Sequence, residues 1–190
     1  MGSLDLPEEL ALVVSPGRLV PQKDHLTAIR AMKHLTSVAL VIVGDGPLRA
    51  ELQAEANALG VAARVRLVGW RSDVRSLIGA ADALLLPSRW EGFPLVAIEA
   101  MTASIPVVAA ASPGLREWLV HGDTALLAPV ANPQQFASAL ERLFADAQLR
   151  ARLIVGGKRI AERHTVSAML DDHVELYQKL AGYSGPKAEL

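Results

Sequence analysis

Glu91 and Glu99 bracket the stretch EGFPLVAIEA at residues 91–100, with seven residues and almost no other polar group between them. A carboxylate in an apolar, helix-like stretch needs a hydrogen-bonding or charged companion, because burying it unpartnered is costly. With Pro94 at the first helical position, Glu91 lies in the preceding loop and Glu99 about 7–8 Å further along the axis, at 1.5 Å per residue. The two carboxylates then do not share a helical face. They suit two parts of one elongated polar ligand; for Glu99 a structural pairing with a neighbouring arginine is an equal alternative.

A second chemistry-bearing stretch is SPGRLVPQKDH at residues 15–25. Gly17 permits a tight turn, and Arg18 and Lys23 can place two cations beside a helix start, where unpaired N–H groups already favour an anion. A phosphate site and an ordinary solvated loop both remain open on spacing alone. In GDGPLRAEL, Gly44 and Gly46 let the backbone approach a ligand, and Pro47 suits the first helical turn. Arg49 stands where a dinucleotide fingerprint needs a small residue, and GGKR at 156–159 lacks the spacing of a phosphate loop, so neither NAD binding nor ATP hydrolysis is indicated. In GWRSD, Trp70 can cover a base and the backbone of Arg71 can meet a base edge, although an aromatic at a strand end is more often packed against its neighbours. The histidines at 25, 34, 121, 164 and 173 lack metal-ligand spacing, and no metal site is expected. The SPG sequences at 15–17 and 112–114 read as turns, and no G-x-S-x-G elbow is present.

These residues must be carried by short elements. Apolar runs recur at ALVV 11–14, VALVIV 38–43, VRLV 65–68, ALLL 83–86, PVVAA 106–110 and TALLA 124–128. Their continuous apolar character fits strands buried on both faces of a parallel sheet. Helical patterns fill the gaps at about 24–34, 47–59, 73–79, 94–103 and 113–120. The alternation predicts an α/β fold, a Rossmann-like doubly wound sheet of about six parallel strands, with ligands at the carboxyl ends of the strands. After residue 130 only helical patterns follow, in PQQFASALERLFAD, AQLRARLIVGGKRIAERH and VSAMLDDHVELYQKLAG, which predicts a C-terminal helical tail.

The totals bound the rest. A chain of 190 residues fits one domain, expected over 1–190 with its core at about 11–180. Nineteen Lys and Arg against twenty Asp and Glu give no basic field that would suggest nucleic-acid binding. Cysteine is absent, which removes disulfide scaffolds and thiolate metal sites. MGSLDLPEEL has no basic region followed by an apolar core, and no apolar run approaches 18 residues. A soluble, cytoplasmic protein is expected, able at full length to sit peripherally at a membrane.

Taken in order, GRLVPQK, VIVGDGPLRAEL, VRLVGW, LLLPSRWEGFPLVAIEAM, IPVVA and HGDTALLAPVANP resemble the C-terminal domain of family 4 retaining glycosyltransferases, over roughly residues 11–180. That family has two Rossmann-like domains, the GT-B architecture. The resemblance implies a domain that binds a nucleotide-sugar donor, with an N-terminal acceptor-binding domain missing here. It implies that Arg18 and Lys23 hold the diphosphate and that Glu91 contacts hydroxyls of the donor sugar. Glu99 would hydrogen-bond the ribose. Backbone N–H groups around Gly92, Phe93, Leu95 and Val96 would face the phosphates or sugar, with the base near Trp70 and Arg71 and the chain close at Gly17, Gly44 and Gly46. The family usually has glycine where Pro94 stands, which removes one backbone donor, and commonly glycine at Ser104. Gly114 and Glu117 hold family-like positions.

The implied chemistry is glycosyl transfer with retained configuration through an oxocarbenium-like state, Arg18 and Lys23 stabilising the departing diphosphate. No metal and no separate cofactor is then required, and no Asp-x-Asp triplet is present. A UDP-sugar is favoured as donor. An epimerase or phosphorylase of related architecture is the alternative enzyme, and a non-catalytic interaction module the alternative of another class. The last helix, over 165–181, is expected to carry an apolar stripe without a partner in this domain, and self-association through that interdomain face can cover it.

Overall fold

The computed structural model describes Leu4 and residues 6–182. Six strands form one sheet: β1 Ala11–Pro16, β2 Val38–Val43, β3 Val65–Leu67, β4 Ala83–Leu86, β5 Val107–Ala110 and β6 Leu126–Ala128. All are parallel, in the order β3-β2-β1-β4-β5-β6. Crossover helices α1 His25–Ala31, α2 Arg49–Ala58, α3 Val74–Gly79, α4 Leu95–Thr102 and α5 Leu115–Trp118 alternate with them. Three further helices follow: α6 Pro133–Ala145, α7 Ala147–Arg163 and α8 Val166–Leu180. This is the Rossmann-like doubly wound architecture that the apolar runs predict.

Both faces of the sheet are buried because strand residues alternate between two cores. Val13, Leu40, Leu85 and Val108 face α1, α2 and α6, where Phe136 is fully enclosed. Val14, Val41, Leu84 and Val107 face the other way, toward α3, α4 and α5. Helix α7 spans the two, placing Leu149 and Leu153 in the first core and Ala161 in the second. Its glycine pair is a packing device: a Cβ at Gly156 would overlap the Asp123 carbonyl, and one at Gly157 would come within 2.9 Å of Met101 Cγ.

The strand order reverses between β1 and β4. From β1 the chain runs outward through β2 to β3, and then returns to β4 and runs outward through β5 to β6. At such a switch point the loops leaving the two central strands diverge and open a crevice at their carboxyl ends. The β1–α1 loop carries Arg18 and Lys23, and the β4–α4 loop carries Glu91.

Three local expectations need correction. Pro94 is not the first helical residue; its ψ of 102° makes it the N-cap, with its carbonyl accepting from the Ala97 amide at 2.9 Å. The helix expected over 113–120 is a single turn, since Leu119 is extended and the following segment turns at Gly122. The sixth strand begins at Leu126 and not at 124, because the amides of Thr124 and Ala125 are taken by the Val120 carbonyl in that turn.

Helix α4 ends in a Schellman motif. The Ser104 amide donates to Met101 O at 3.1 Å and the Ile105 amide to Ala100 O at 2.8 Å, with Ser104 at φ 65°. A left-handed residue with a Cβ costs about 1–2 kcal/mol, and glycine gives part of that back as unfolded-chain entropy. Ser104→Gly should therefore raise stability by about 0.5–1 kcal/mol in urea denaturation; a lowered midpoint would contradict this account of the turn.

The last helix, α8, buries none of its residues. Val166, Met169, Leu170, Val174, Tyr177 and Leu180 are all exposed, so the apolar stripe expected over 165–181 has no partner among the described residues. No helix among them is long and apolar enough to cross a membrane.

Candidate functional site

The crevice at the switch point contains a cavity of about 450 Å³, lined by Gly17, Arg18, Gly44, Trp70, Arg71 and Val96 among others. Each of these positions was expected to meet the ligand, and three strand-to-helix connections and the first turn of α4 bring them together. Trp70 is 77% exposed, so it is not the packed strand-end aromatic that its position allows. Its ring is open to stack on a ligand. Arg71 has its guanidinium held by Asp73, with Nε to Oδ1 and Nη2 to Oδ2 both at 2.7 Å. This bidentate contact raises the pKa of Arg71 and lowers that of Asp73, the hydrogen bond being the leading cause for each. The side chain is thereby held by Asp73 beside the cavity.

Lys23 and Glu91 meet directly, with Nζ 2.6 Å from Oε1. The pair is mostly buried, the side chains being 21% and 7% exposed. Lys23 runs along Gly17, where a Cβ would lie 3.2 Å from its Cδ. Neither Lys23 nor Glu91 lines the cavity itself; the pair lies behind Gly17, which does. Gly44 serves the same junction: at φ 141° it comes so close to the Gly17 carbonyl that any Cβ would overlap it. Gly46 lies off the cavity and packs its backbone on Leu19.

Glu99 is half-buried, and its companion is Arg75, whose Nε donates to Oε1 at 2.9 Å. The arginine alternative therefore describes the ligand-free protein. Arg75 is 81% exposed and free to move, so this contact holds Glu99 weakly. Glu99 stands one helical turn from Val96, which lines the cavity, so both lie on the same face of α4. Helix α4 opens without a side-chain cap, leaving the first amides at Leu95 and Val96 available.

Gly92, Phe93 and Leu95 are exposed, and the side chains of Phe93 and Leu95 do not enter this cavity. Phe93 packs on Trp118 and His164, with ring centroids 5.0 and 4.9 Å apart. With Leu95 it lines a second, largely apolar cavity of about 550 Å³ under α8. Only their backbones remain near the start of α4.

Sequence reasoning missed His25. It is 2% exposed, with Nδ1 3.2 Å from Ser15 Oγ and Nε2 3.4 Å from the Gly17 carbonyl. A carbonyl can only accept, so Nε2 carries the proton and Nδ1 accepts from the serine hydroxyl. Burial lowers its pKa to about 4, aided by the charge of Lys23 and opposed by the Gly17 hydrogen bond. The neutral ring thus pins the carbonyl of the glycine that turns the chain toward Arg18. Nothing in the spacing of Ser15 and His25 announces this contact. Among the described residues no cluster of three or more His, Asp or Glu side chains could hold a metal ion.

Comparison with known proteins places this geometry. The lipopolysaccharide core biosynthesis glycosyltransferase LpsE of Rhizobium meliloti is 33% identical over 174 residues, which are 91% of this chain and 51% of the relative. The alpha-D-kanosaminyltransferase of Streptomyces kanamyceticus is 30% identical, covering 91% of this chain and 47% of its own length. The crystal structure of HepE from Anabaena in complex with UDP superposes with a TM-score of 0.85 at 28% identity, over 90% of this chain and 49% of that one. The chain thus spans about half the length of the relatives it matches. Residues 1–160 match the family described as glycosyl transferases group 1, and with these relatives around it the chain belongs to that glycosyltransferase family.

Proposed function

We propose that this chain is the donor-binding half of a retaining glycosyltransferase, taking a nucleoside-diphosphate sugar at the β1/β4 crevice. The observation that carries this reading is the convergence of Arg18, Trp70, Arg71 and Val96 on one cavity, with the Lys23–Glu91 pair behind the Gly17 that lines it. The base stacks on Trp70 and meets the backbone at Arg71. Glu99, on the Val96 face of α4, leaves Arg75 to accept from the ribose hydroxyls. The diphosphate lies between Arg18, Lys23 and the open amides of α4, and draws Lys23 from its resting contact. Glu91 is then released to the hydroxyls of the donor sugar.

In the reaction the bond from the anomeric carbon to the phosphate oxygen breaks, its electron pair staying on the diphosphate. Arg18 and Lys23 balance the charge that develops there. The acceptor hydroxyl adds on the face the diphosphate leaves and gives its proton to the departing diphosphate oxygen, so the step balances and configuration is retained. No step needs a metal. Support for UDP as the nucleotide comes from HepE, which is known both with UDP and with UDP-glucose. The acceptor site is assigned to an N-terminal domain, in keeping with relatives about twice as long as this chain. The isolated domain accordingly binds donor and turns it over poorly.

Calorimetry with UDP, GDP and ADP tests the reading; no binding of any of them at millimolar concentration by folded protein would remove it. The two carboxylates are separable. Glu99→Gln should weaken UDP binding by about 1.5–3 kcal/mol, the range for a hydrogen bond to a charged group, or roughly 10- to 150-fold. Glu91→Gln should weaken UDP-glucose but not UDP, because UDP offers it no sugar hydroxyl and loss of its charge frees Lys23 for the diphosphate. Equal losses on both ligands from Glu91→Gln, or none from Glu99→Gln, would show the pair misassigned.

A further inference from the structure

Lys23 and Glu91 stand on different loops, 68 residues apart in sequence. A lysine on a four-carbon stem can reach a carboxylate from many directions, so their meeting does not itself fix where either points. Three other contacts do. The side chain of Gln22 donates through Nε2 to the Trp90 carbonyl at 2.9 Å. The Arg89 amide donates to the Gln22 carbonyl, also at 2.9 Å. Arg89 Nε lies 3.3 Å from Asp24 Oδ2. In the β1–α1 loop, Gln22 thus holds Arg89 and Trp90 of the β4–α4 loop, Lys23 holds Glu91, and Asp24 holds Arg89.

Asp24 is costly where it stands. Its φ of 48° and ψ of 39° are left-handed, a conformation that disfavours residues other than glycine although aspartate and asparagine tolerate it best. Its side chain is 3% exposed, and Oδ2 accepts no hydrogen bond among the described residues. A buried carboxylate needs a compensating charge, and the Arg89 guanidinium supplies it. The left-handed turn at Asp24 also ends the short 3-10 segment Pro21–Lys23 and starts α1, which sets the direction in which Lys23 leaves the backbone.

We propose that Asp24 and Arg89 are positioning residues of the donor site: their ion pair locks the two central loops together and so aims Lys23 at the diphosphate and Glu91 at the sugar. The proposal rests on the donor-binding reading above. Neither residue touches the donor. Their effect passes through Lys23 and Glu91, so it should grow with the number of donor groups those two contact.

Calorimetry with UMP, UDP and UDP-glucose on the wild type, Asp24→Asn, Arg89→Gln, Arg89→Lys and the Asp24→Asn/Arg89→Gln double variant tests this. Asparagine keeps the size and the left-handed turn and removes only the charge. Arg89→Gln strips a buried carboxylate of its compensating charge and should lower the melting temperature, whereas Asp24→Asn removes that charge itself, so binding is read on all variants below the lower melting temperature. Each of Asp24→Asn and Arg89→Gln should weaken UDP-glucose about 5- to 20-fold, UDP less, and UMP by no more than about twofold. Arg89→Lys should restore most of the loss. The double variant should bind no worse than either single one, since a lock opened from one side has nothing left to lose from the other. Unchanged UDP-glucose affinity, equal losses on UMP and UDP-glucose, or additive losses in the double variant would each overturn the proposal. A wild type that binds none of the three would overturn the donor-binding reading and this proposal with it, whereas binding that ignores Asp24 and Arg89 would overturn this proposal alone.

Discussion

Gly114→Ala should destabilise the domain by roughly 3 kcal/mol or more and weaken UDP-glucose along with it, although residue 114 belongs to neither central loop. Gly114 has φ 81° and ψ −53°, a conformation that L side chains rarely adopt. A Cβ there would overlap the Glu91 carbonyl oxygen and press on that of Gly92 at 3.3 Å. Two costs therefore add: backbone strain of about 1–3 kcal/mol, and displacement of a packed loop at a similar cost. Relief can come only by moving the loop that carries Glu91, whose amide also donates to Pro113 at 3.4 Å. Gly92→Ala is the control. Nothing lies within 4 Å of a Cβ at Gly92, and its φ is not positive, so its stability should stay within about 0.5 kcal/mol of wild type. Urea denaturation of the two variants measures the contrast; a Gly114→Ala protein as stable as Gly92→Ala would mean that the β5–α5 loop does not support the Glu91 loop.

That support illustrates what the sequence could and could not disclose. The sheet was legible because its signal is local: VALVIV and ALLL are apolar without alternation, and only a strand covered on both sides accommodates that. The edge on which Arg18, Trp70 and Glu91 would gather followed, since a parallel order puts every strand's carboxyl end on one side. Partners were a different matter. The contact of Lys23 with Glu91 spans 68 residues, and that of Arg75 with Glu99 joins two helices, so no periodicity encodes either. For Glu99 the residues left two companions open, a ligand and an arginine, and the ligand-free fold supplies the arginine. The glycine pair at 156–157 could be excluded as a phosphate loop, but its packing against α4 and the 121–125 turn depends on where α7 lies. Helix boundaries failed where capping outweighed composition, as at Pro94, whose ring allows both the first helical position and the extended cap it adopts.

His25 was the largest omission, and it has the clearest consequence for stability. Its pKa is about 4 in the folded protein against 6.5 for a solvated imidazole, chiefly because burial disfavours the cation. Above pH 6.5 the ring is neutral in both folded and unfolded chains, and its titration does not affect stability. Between pH 6.5 and about 4 the unfolded chain binds a proton that the folded one refuses, so stability falls as pH falls through that window and is lost in full below it. The interval, at about 1.4 kcal/mol per pH unit, amounts to ~3 kcal/mol. Lys23 is the charged group that helps depress the pKa. His25→Gln can still donate toward the Gly17 carbonyl and accept from Ser15, yet has no proton to gain. The wild type should therefore lose about 3 kcal/mol more than His25→Gln between pH 7 and pH 4 in urea denaturation, and the β1/β4 crevice should loosen with it, since protonation puts a buried charge beside Lys23 under Gly17 while the Ser15 hydrogen bond only reverses its direction. Parallel losses in the two proteins over that range would show that His25 takes up its proton without unseating the loop, and that acid acts on this fold elsewhere.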